Sequence, residues 1–361
     1  MVRKLKLRFV IISAIALVLM GSSDGNAQDV TYSQPFNSPT YYNPAFVGLT
    51  LGLKARFNYM QRWTGLSGNY STYDFSVDIA DRNIPGAGGI GLFFQQDKQG
   101  LGYIRTTTVG IMPAVRIRAS RKTLFQIGAT VAVVNRKLNL DNAVFSSQLD
   151  PVYGNIGPSS FADYGNESTF YADFAMGGLF QFEINSVTGV IGFAAHHLTR
   201  PNQSFTGHTA PLEIKYVAHA DFIISLSHSH GYYGNFGKSS GWKLNPGFIY
   251  QRQLFMDVYQ VGMNINAQYI YFGAWYKNEA FKWDAFSSWT FMIGVNVPFT
   301  NENRMKVMYS YDLMIHSEHG YVGPTHQISL IFEFDGVSFH RNNGMLNSMR
   351  LPNQPLECSP F

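Results

Sequence analysis

Short segments in which apolar and polar residues alternate run through most of the chain. In one of them Tyr73, Phe75 and Val77 alternate with Asp74 and Ser76. Alternation over four to eight residues is typical of a β-strand whose two faces meet different surroundings. The pattern predicts about fourteen strands, at residues 51–62, 70–81, 88–97, 103–118, 123–134, 167–182, 187–196, 213–226, 242–254, 257–266, 268–277, 285–297, 304–314 and 325–334.

These strands predict an all-β fold, a transmembrane antiparallel β-barrel at residues 51–334 with long extracellular loops and short periplasmic turns. Most segments approach the roughly 9–11 residues that a tilted strand needs to cross a bilayer. Charged residues are only 14% of the chain and aromatic residues reach 15%. The soluble alternative is a two-sheet sandwich, which short alternating strands also suit. Low charge and many aromatic residues on one face favour the barrel.

The N-terminus has the pattern of a secretory leader. Four basic residues precede an apolar run at residues 9–20, and Gly25 and Ala27 precede a predicted cut before Gln28. This predicts a signal peptide at 1–27 and export to the bacterial outer membrane. The mature chain then divides into an N-terminal periplasmic or luminal segment at 28–50, the barrel, and an irregular tail at 335–361.

Removal of the leader nearly neutralises the chain. The leader holds four of the 27 Lys and Arg residues and one of the 23 acidic residues, which leaves 23 basic and 22 acidic residues. The excess of basic residues therefore gives no reason to expect nucleic acid as a partner. Cys358 is the only cysteine, so an intrachain disulfide and a cysteine metal site are excluded.

The predicted links differ in length at the two ends of the barrel. If the N-terminus is periplasmic, the periplasmic links are mostly short, and the extracellular links at 135–166, 197–212 and 315–324 are long. The link at 227–241 is long on the periplasmic side, against this rule.

Several motifs follow the leader in order. They are YSQPFN at 32–37, YNPAFVG at 42–48, RFNYMQRWTGL at 56–66, and GGIGL at 88–92 with Asp97 and Gly100. This succession closely resembles the PorP/SprF family of outer-membrane proteins of the type IX secretion system. The family pattern has R-x-Q-W where this chain has Gln61-Arg62-Trp63, so the polar order departs slightly. Beyond residue 110 the resemblance is only architectural.

The resemblance implies a barrel that works with secretion and gliding machinery. In some members such a barrel holds a secreted adhesin on the cell surface. The implied partners are type IX secretion system proteins, a secreted surface protein or adhesin, and outer-membrane lipid.

Asn43, Pro44, Ala45 and Gly48 form the first candidate site. Pro44 fixes its own φ and biases Asn43 away from helix, and Gly48 permits a sharp turn into the first strand. The stretch therefore either launches the barrel as a turn, which we favour, or is a periplasmic or luminal contact site.

Arg62, Trp63 and Gly65 form the second candidate site. The simpler interpretation is an interfacial aromatic residue beside a charge at the level of the lipid headgroups. The other is an extracellular contact for a partner protein.

The sequence predicts no catalytic, cofactor or metal site. His228 and His230 lie two residues apart, and further histidines are His196, His197, His219, His316 and His319. No cysteine or carboxylate cluster supports these spacings, so solvated loop histidines are expected. The letters G-x-S-x-G occur at 21–25, in the predicted leader, and at 237–241, in a predicted link. Neither stretch lies between a strand and a helix, as the hydrolase motif requires.

The sequence thus favours a non-enzymatic barrel that binds proteins of the export apparatus. The long loops at 135–166 and 197–212 would contact exported cargo, and the periplasmic end, with 28–50 and the tail, would contact inner components. The alternatives are a channel for small solutes, comparable to a porin or fatty-acid transporter, and an outer-membrane hydrolase.

Overall fold

A computed structural model gives the fold of the chain. It describes residues 29–334 except for 50–51, 67, 69, 81–86, 101–103, 121, 141–147, 151, 156–166, 206–207, 227–241, 268, 280–286, 301–302 and 316–321. The predicted signal peptide at 1–27, the predicted tail at 335–361 and the long link at 227–241 lie outside the described residues.

Fourteen antiparallel strands close into one barrel, and all fourteen predicted strands are confirmed. The first and last strands pair directly, with Leu53 opposite Phe334 and Gln61 opposite His326, so the sheet has no lateral edge. A small hairpin lies in the link between β5 and β8. The strands are β1 (Gly52–Arg62), β2 (Tyr70–Ala80), β3 (Ala87–Gln99), β4 (Ile104–Arg118), β5 (Thr123–Leu138), β6 (Leu149–Asp150), β7 (Gly154–Asn155), β8 (Glu167–Ile184), β9 (Val187–His196), β10 (Lys215–Ser225), β11 (Trp242–Gln253), β12 (Met256–Ala267), β13 (Ile270–Glu279), β14 (Ser287–Pro298), β15 (Asn303–Met314) and β16 (Thr325–Phe334).

The sequence alternation corresponds to the two faces of the barrel wall. On β14, Trp289, Phe291 and Ile293 are 43%, 51% and 52% exposed on the outside. Thr290 and Met292, between them, are buried in the interior. The apolar outer face suits lipid, whereas a basic side chain there would cost about 2–4 kcal/mol at the bilayer midplane.

The links identify the two ends of the barrel. At the end where β1 begins, the links at 119–122, 185–186 and 268–269 are short, and the link at 226–241 is the long exception. At the opposite end the connections include the long links at 139–166, 197–214 and 315–324. Outer-membrane barrels have short periplasmic turns and long extracellular loops, so these are the periplasmic end and the outer end.

Residues 29–49, here called the luminal segment, lie inside the barrel. The segment contains three short helices, η1 (Pro35–Asn37), α1 (Pro39–Tyr42) and η2 (Pro44–Phe46). Each begins with a proline, which suits the first helical position because that position needs no N–H donor. Five of its side chains are completely buried: Tyr32, Gln34, Asn43, Ala45 and Val47. Among the described residues, no helix is both long and apolar enough to span a membrane.

The luminal segment runs from the outer end to the periplasmic end. Asp29 Oδ2 lies 2.7 Å from His197 Nε2, just past the outer end of β9. Gly48 N donates to Asp78 Oδ2 at 2.8 Å, near the periplasmic end of β2. The chain then reverses into β1. The described part of 28–50 is therefore enclosed by the wall, and does not lie on the periplasmic surface where the sequence-based hypothesis placed a contact with inner components.

Apolar and charged clusters fill the space between segment and wall. Phe36 stacks on Trp275 with ring centroids 6.0 Å apart, and Phe46 packs in the same cluster. Near the periplasmic end, Glu333 is paired with Lys54 at 3.0 Å, with Lys306 at 3.2 Å and with Arg304. Such pairing offsets much of the cost of burying these charges.

Candidate functional site

The first candidate site docks against glycines of the wall. A Cβ atom at Gly128 would overlap the carbonyl of Pro44, and one at Gly177 would overlap the side chain of Asn43. A Cβ atom at Gly192 would lie 2.8 Å from Asn43 Nδ2. These glycines lie on β5, β8 and β9, so three strands leave room for one turn. The close fit between these glycines and the turn indicates that the luminal segment docks at one specific place on the wall.

Asn43 is the most highly connected residue of this turn. Its Oδ1 accepts from Ala45 N at 2.9 Å, which caps η2. Its Nδ2 donates to Gly178 O at 3.1 Å and lies 3.0 Å from His219 Nε2. Because the amide nitrogen can only donate, Nε2 of His219 accepts, and the other ring nitrogen donates to Asp221 Oδ2 at 3.1 Å.

Gly48 closes the periplasmic end of the segment. Its φ is +64°, and a Cβ there would lie 2.6 Å from Gly88 O, so a side chain is excluded on both counts. Its carbonyl accepts from the guanidinium of Arg116. Arg116 Nε in turn donates to Gln126 Oε1 at 2.9 Å, and Gln126 Nε2 donates to Val47 O at 2.6 Å. Gly48 therefore joins the segment to the wall as well as turning the chain.

The serine and glutamine of the YSQPFN motif attach the segment to β15 and β16. Ser33 Oγ donates to Asp312 Oδ2 at 2.6 Å, and Gln34 Nε2 donates to Ser310 Oγ at 2.9 Å. Both backbone N–H groups, of Ser33 and Gln34, donate to Gln327 Oε1, at 2.9 and 3.1 Å. Side chains of β15 and β16 that face the lumen thus bind the start of the luminal segment.

A charged cluster, here called the outer latch, holds the segment at the outer end. Asp29 Oδ2 lies 2.7 Å from both His197 Nε2 and Lys215 Nζ, and His197 Nδ1 lies 2.9 Å from Asp173 Oδ2. Burial would raise the pKa of Asp29, but Lys215 and His197 hold that pKa well below its usual range. Burial likewise opposes charging of His197, but Asp29 and Asp173 raise its pKa to about 9. The ring is therefore protonated at neutral pH.

The second candidate site lies at the outer mouth of the lumen. Arg62 faces Asp97 at 3.7 Å on the luminal side, and its guanidinium lies 5.6 Å from the ring centroid of Trp63. This places Arg62 inside the mouth and not among the lipid headgroups. Gly65 N donates to Val322 O at 3.0 Å, which joins the β1–β2 link to the β15–β16 link. A small pocket lies at this point, lined in part by Arg62, Trp63, Asp29 and Lys277.

The two candidate sites are therefore separate. The Asn43–Gly48 turn lies deep in the lumen, and the Arg62–Gly65 stretch lies at its mouth.

The histidine expectation is wrong for His196, His197 and His219. All three are buried, and each contacts the luminal segment: His196 Nε2 lies 3.0 Å from Tyr42 O. Sequence reasoning missed this role because the partners are more than 150 residues away in the chain. The sequence carried one signal of this role. In the alternation along β10, His219 falls among the residues that point into the barrel. His228, His230, His316 and His319 lie outside the described residues.

The described residues contain no group of three or more His, Cys, Asp or Glu side chains that could hold a metal ion. Several polar groups of the lumen, among them Gln126, His219, Asp312 and Gln327, bind the chain's own N-terminal segment. Their chemistry is that of a protein-binding interior, with amide, carboxylate and guanidinium groups matched to a peptide backbone.

A closed antiparallel barrel of fourteen strands, with an apolar outer face and short turns at one end, defines an outer-membrane β-barrel protein. The family model for the type IX secretion system membrane protein PorP/SprF matches residues 24–332. The chain belongs to this family, and the resemblance read from its motifs is confirmed. No curated protein matches the chain in sequence.

Solved barrels are similar to the chain in overall form. The CymD monoaromatic hydrocarbon channel is 13% identical, with 88% of this chain and 95% of that chain covered and a TM-score of 0.45. A Pseudomonas aeruginosa FadL homologue is 11% identical over 84% of this chain and 94% of that chain, with a TM-score of 0.44. The Acinetobacter baumannii outer membrane protein Omp33 is 7% identical over 80% and 99%, with a TM-score of 0.36.

Proposed function

We propose that this protein is a non-enzymatic outer-membrane component of the type IX secretion and gliding machinery. It binds an exported surface protein or adhesin at its outer end and machinery proteins at its periplasmic end. The observation that carries the proposal is membership of the PorP/SprF family over residues 24–332.

The occupied lumen supports an adaptor over the alternative of a solute channel. A porin keeps a water-filled passage along its axis. Here residues 29–49 run through the barrel from end to end, and most of their side chains are buried against the wall. A solute would have to displace a segment that is held by specific hydrogen bonds and ion pairs.

The outer end has the surface that a cargo-binding role requires. The longest links of the chain, 139–166 and 197–214, leave the barrel there. Within the first, the described hairpin β6–β7 exposes Val152 and Tyr153, at 79% and 81%. Exposed aromatic residues are enriched at protein interfaces.

Gene deletion followed by surface proteomics tests the proposal. One exported surface protein should be lost from the cell surface, retained inside or released into the medium, and the intact gene should restore it. Normal display of every surface protein in the deletion strain would refute the role. Tagged protein purified from outer membranes should carry that surface protein with it.

A further inference from the structure

Strand β8 extends beyond its neighbour β9 at the outer end. It pairs with β5 from Phe182 to Glu167. It pairs with β9 only from Ile184 to Met176. Among the described residues, 167–173 of β8 therefore pair with a strand on one side only, above the point where β9 ends. A strand that rises past its neighbour presents an open edge.

The backbone groups on this edge can be assigned from one hydrogen bond. Phe174 O accepts from Leu198 N at 2.9 Å, so the backbone of Phe174 points away from β5. Alternate residues of a strand point the same way. The N–H and C=O groups of Ser168, Phe170 and Ala172 therefore also point to the open side, and none of them has a backbone hydrogen bond there with another described residue.

Two of the features that normally protect exposed strands are missing from this edge. Natural edges are blunted by lysine, proline, bulges or a covering element. The stretch from Glu167 to Asp173 contains neither lysine nor proline. Its outward side chains are Ser168, Phe170 and Ala172, all exposed, with Phe170 at 68%. This edge is suited to pairing.

We propose that the open edge of β8 at residues 168–172 is the docking site for an extended strand of the exported surface protein. The inference rests on the proposed function and names the surface that performs it. The incoming strand would continue the barrel sheet above β9 and would bond to the backbone of Ser168, Phe170 and Ala172. Its contact would span roughly 16 Å at about 3.3 Å per residue.

The hydrogen-bond pattern favours a strand over other occupants. Donors and acceptors alternate along the edge, and an extended backbone repeats the same alternation. A helix has no free backbone groups to offer along its length. The alternate outward positions of Ser168, Phe170 and Ala172 then give side-chain specificity.

A proline substitution tests the edge without breaking the barrel ladder. In Ala172→Pro the lost N–H is one that points to the open side, because β8 bonds to β5 through the odd-numbered residues. Ala172→Val keeps the N–H group and is the matched control. A photoreactive phenylalanine analogue at Phe170, placed in both variants and in the otherwise unchanged protein, reports the neighbour in native cells.

The expected result is a crosslink from position 170 to a peptide of an exported surface protein. The yield should fall at least tenfold in Ala172→Pro and stay within twofold in Ala172→Val. A crosslink only to residues of the same chain, only to a second copy or to nothing would overturn the proposal, as would an equal yield in both variants. If the surface protein still co-purifies at the normal level with Ala172→Pro, the edge proposal fails while the proposed function stands. If the proposed function itself is wrong, the deletion strain will show normal surface display of every exported protein.

Discussion

Asn43 Nδ2 lies 3.0 Å from His219 Nε2, so the N-terminal segment is bonded to a strand 176 residues further along the chain. The same amide nitrogen donates to Gly178 O on β8, so the contact requires β8, β9 and β10 to be paired beside the segment. The Asn-Pro-Ala turn therefore does more than lead into the first strand. Residues of the barrel wall hold the turn in place, and the turn fills part of the barrel interior.

Replacement of Asn43 should destabilise the folded barrel. Asn43→Ala leaves Gly178 O and His219 Nε2 without this donor and removes the cap on Ala45 N. Buried groups left without a partner cost about 1–3 kcal/mol each, so we expect the three affected groups to cost at least about 3 kcal/mol together. Urea unfolding of the protein in lipid vesicles measures it. Ser168→Ala, on the exposed surface, is the control, and an equal midpoint for both variants would contradict the seat at Asn43.

Two adjacent glycines provide a matched test of the docking. In Gly177→Ala the new methyl group overlaps the side chain of Asn43, whereas in Gly178→Ala the nearest atom outside the adjoining residues, Gln126 O, lies 3.9 Å away. We expect the first variant to expel the luminal segment and the second to keep it. Protease cleavage within residues 29–49 of the barrel in detergent measures this. Equal protection of both variants would argue against the observed fit.

The outer latch should depend on pH in two directions. The raised pKa of His197, about 9, means that its contribution is complete below about 6.5 and is lost as the pH rises through 9. The lowered pKa of Asp29 means that its contribution is present above the usual carboxyl range and is lost as the pH falls through the folded value. Residues 29–33 should thus be best protected between about pH 4 and about pH 6.5, where both contributions are complete.

The loss of protection at alkaline pH can be measured by hydrogen exchange of residues 29–33 between pH 6 and 10. The exchange rates must first be corrected for the intrinsic pH dependence of amide exchange. His197→Gln should remove the step near pH 9. A step that persists unchanged in this variant would assign it to another group.

The lipid-facing surface can be tested on β14. Ile293 is 52% exposed on the outer face, and Ile293→Arg should destabilise the barrel by about 2–4 kcal/mol in lipid vesicles. Val152→Arg, on the hairpin outside the barrel, should change stability by less than about 0.5 kcal/mol. Similar effects from the two substitutions would mean that the face around Ile293 does not meet lipid.

Strand positions were readable from the sequence because alternation is a local property of the chain. Phe291 and Thr290 differ in polarity as their surroundings differ, and the same holds along most of the other strands. The seat of Asn43 was not readable in this way, since it depends on Gly128, Gly177 and His219. These residues come together only in the folded barrel, and their spacing in the sequence does not indicate that they will be neighbours.

The two candidate motifs illustrate the same limit. The sequence indicated a turn at Pro44 and Gly48, and the structure has one, but the wall on which it docks could not be inferred. Arg62 was interpreted as a charge at the level of the lipid headgroups, because it stands next to Trp63 at the end of a strand and such residues commonly lie at the membrane interface. Its inward phase on β1 places it in the mouth of the lumen with Asp97.

Conductance in planar lipid bilayers tests most directly the claim that an occupied lumen makes this barrel a protein-binding component and not a channel. The whole protein should give no steady conductance at neutral pH, and a variant lacking residues 29–47, shown to be folded by its shift on gels after heating, should give stable openings. A steady, solute-selective conductance of the whole protein, equal to that of the shortened variant, would contradict the account.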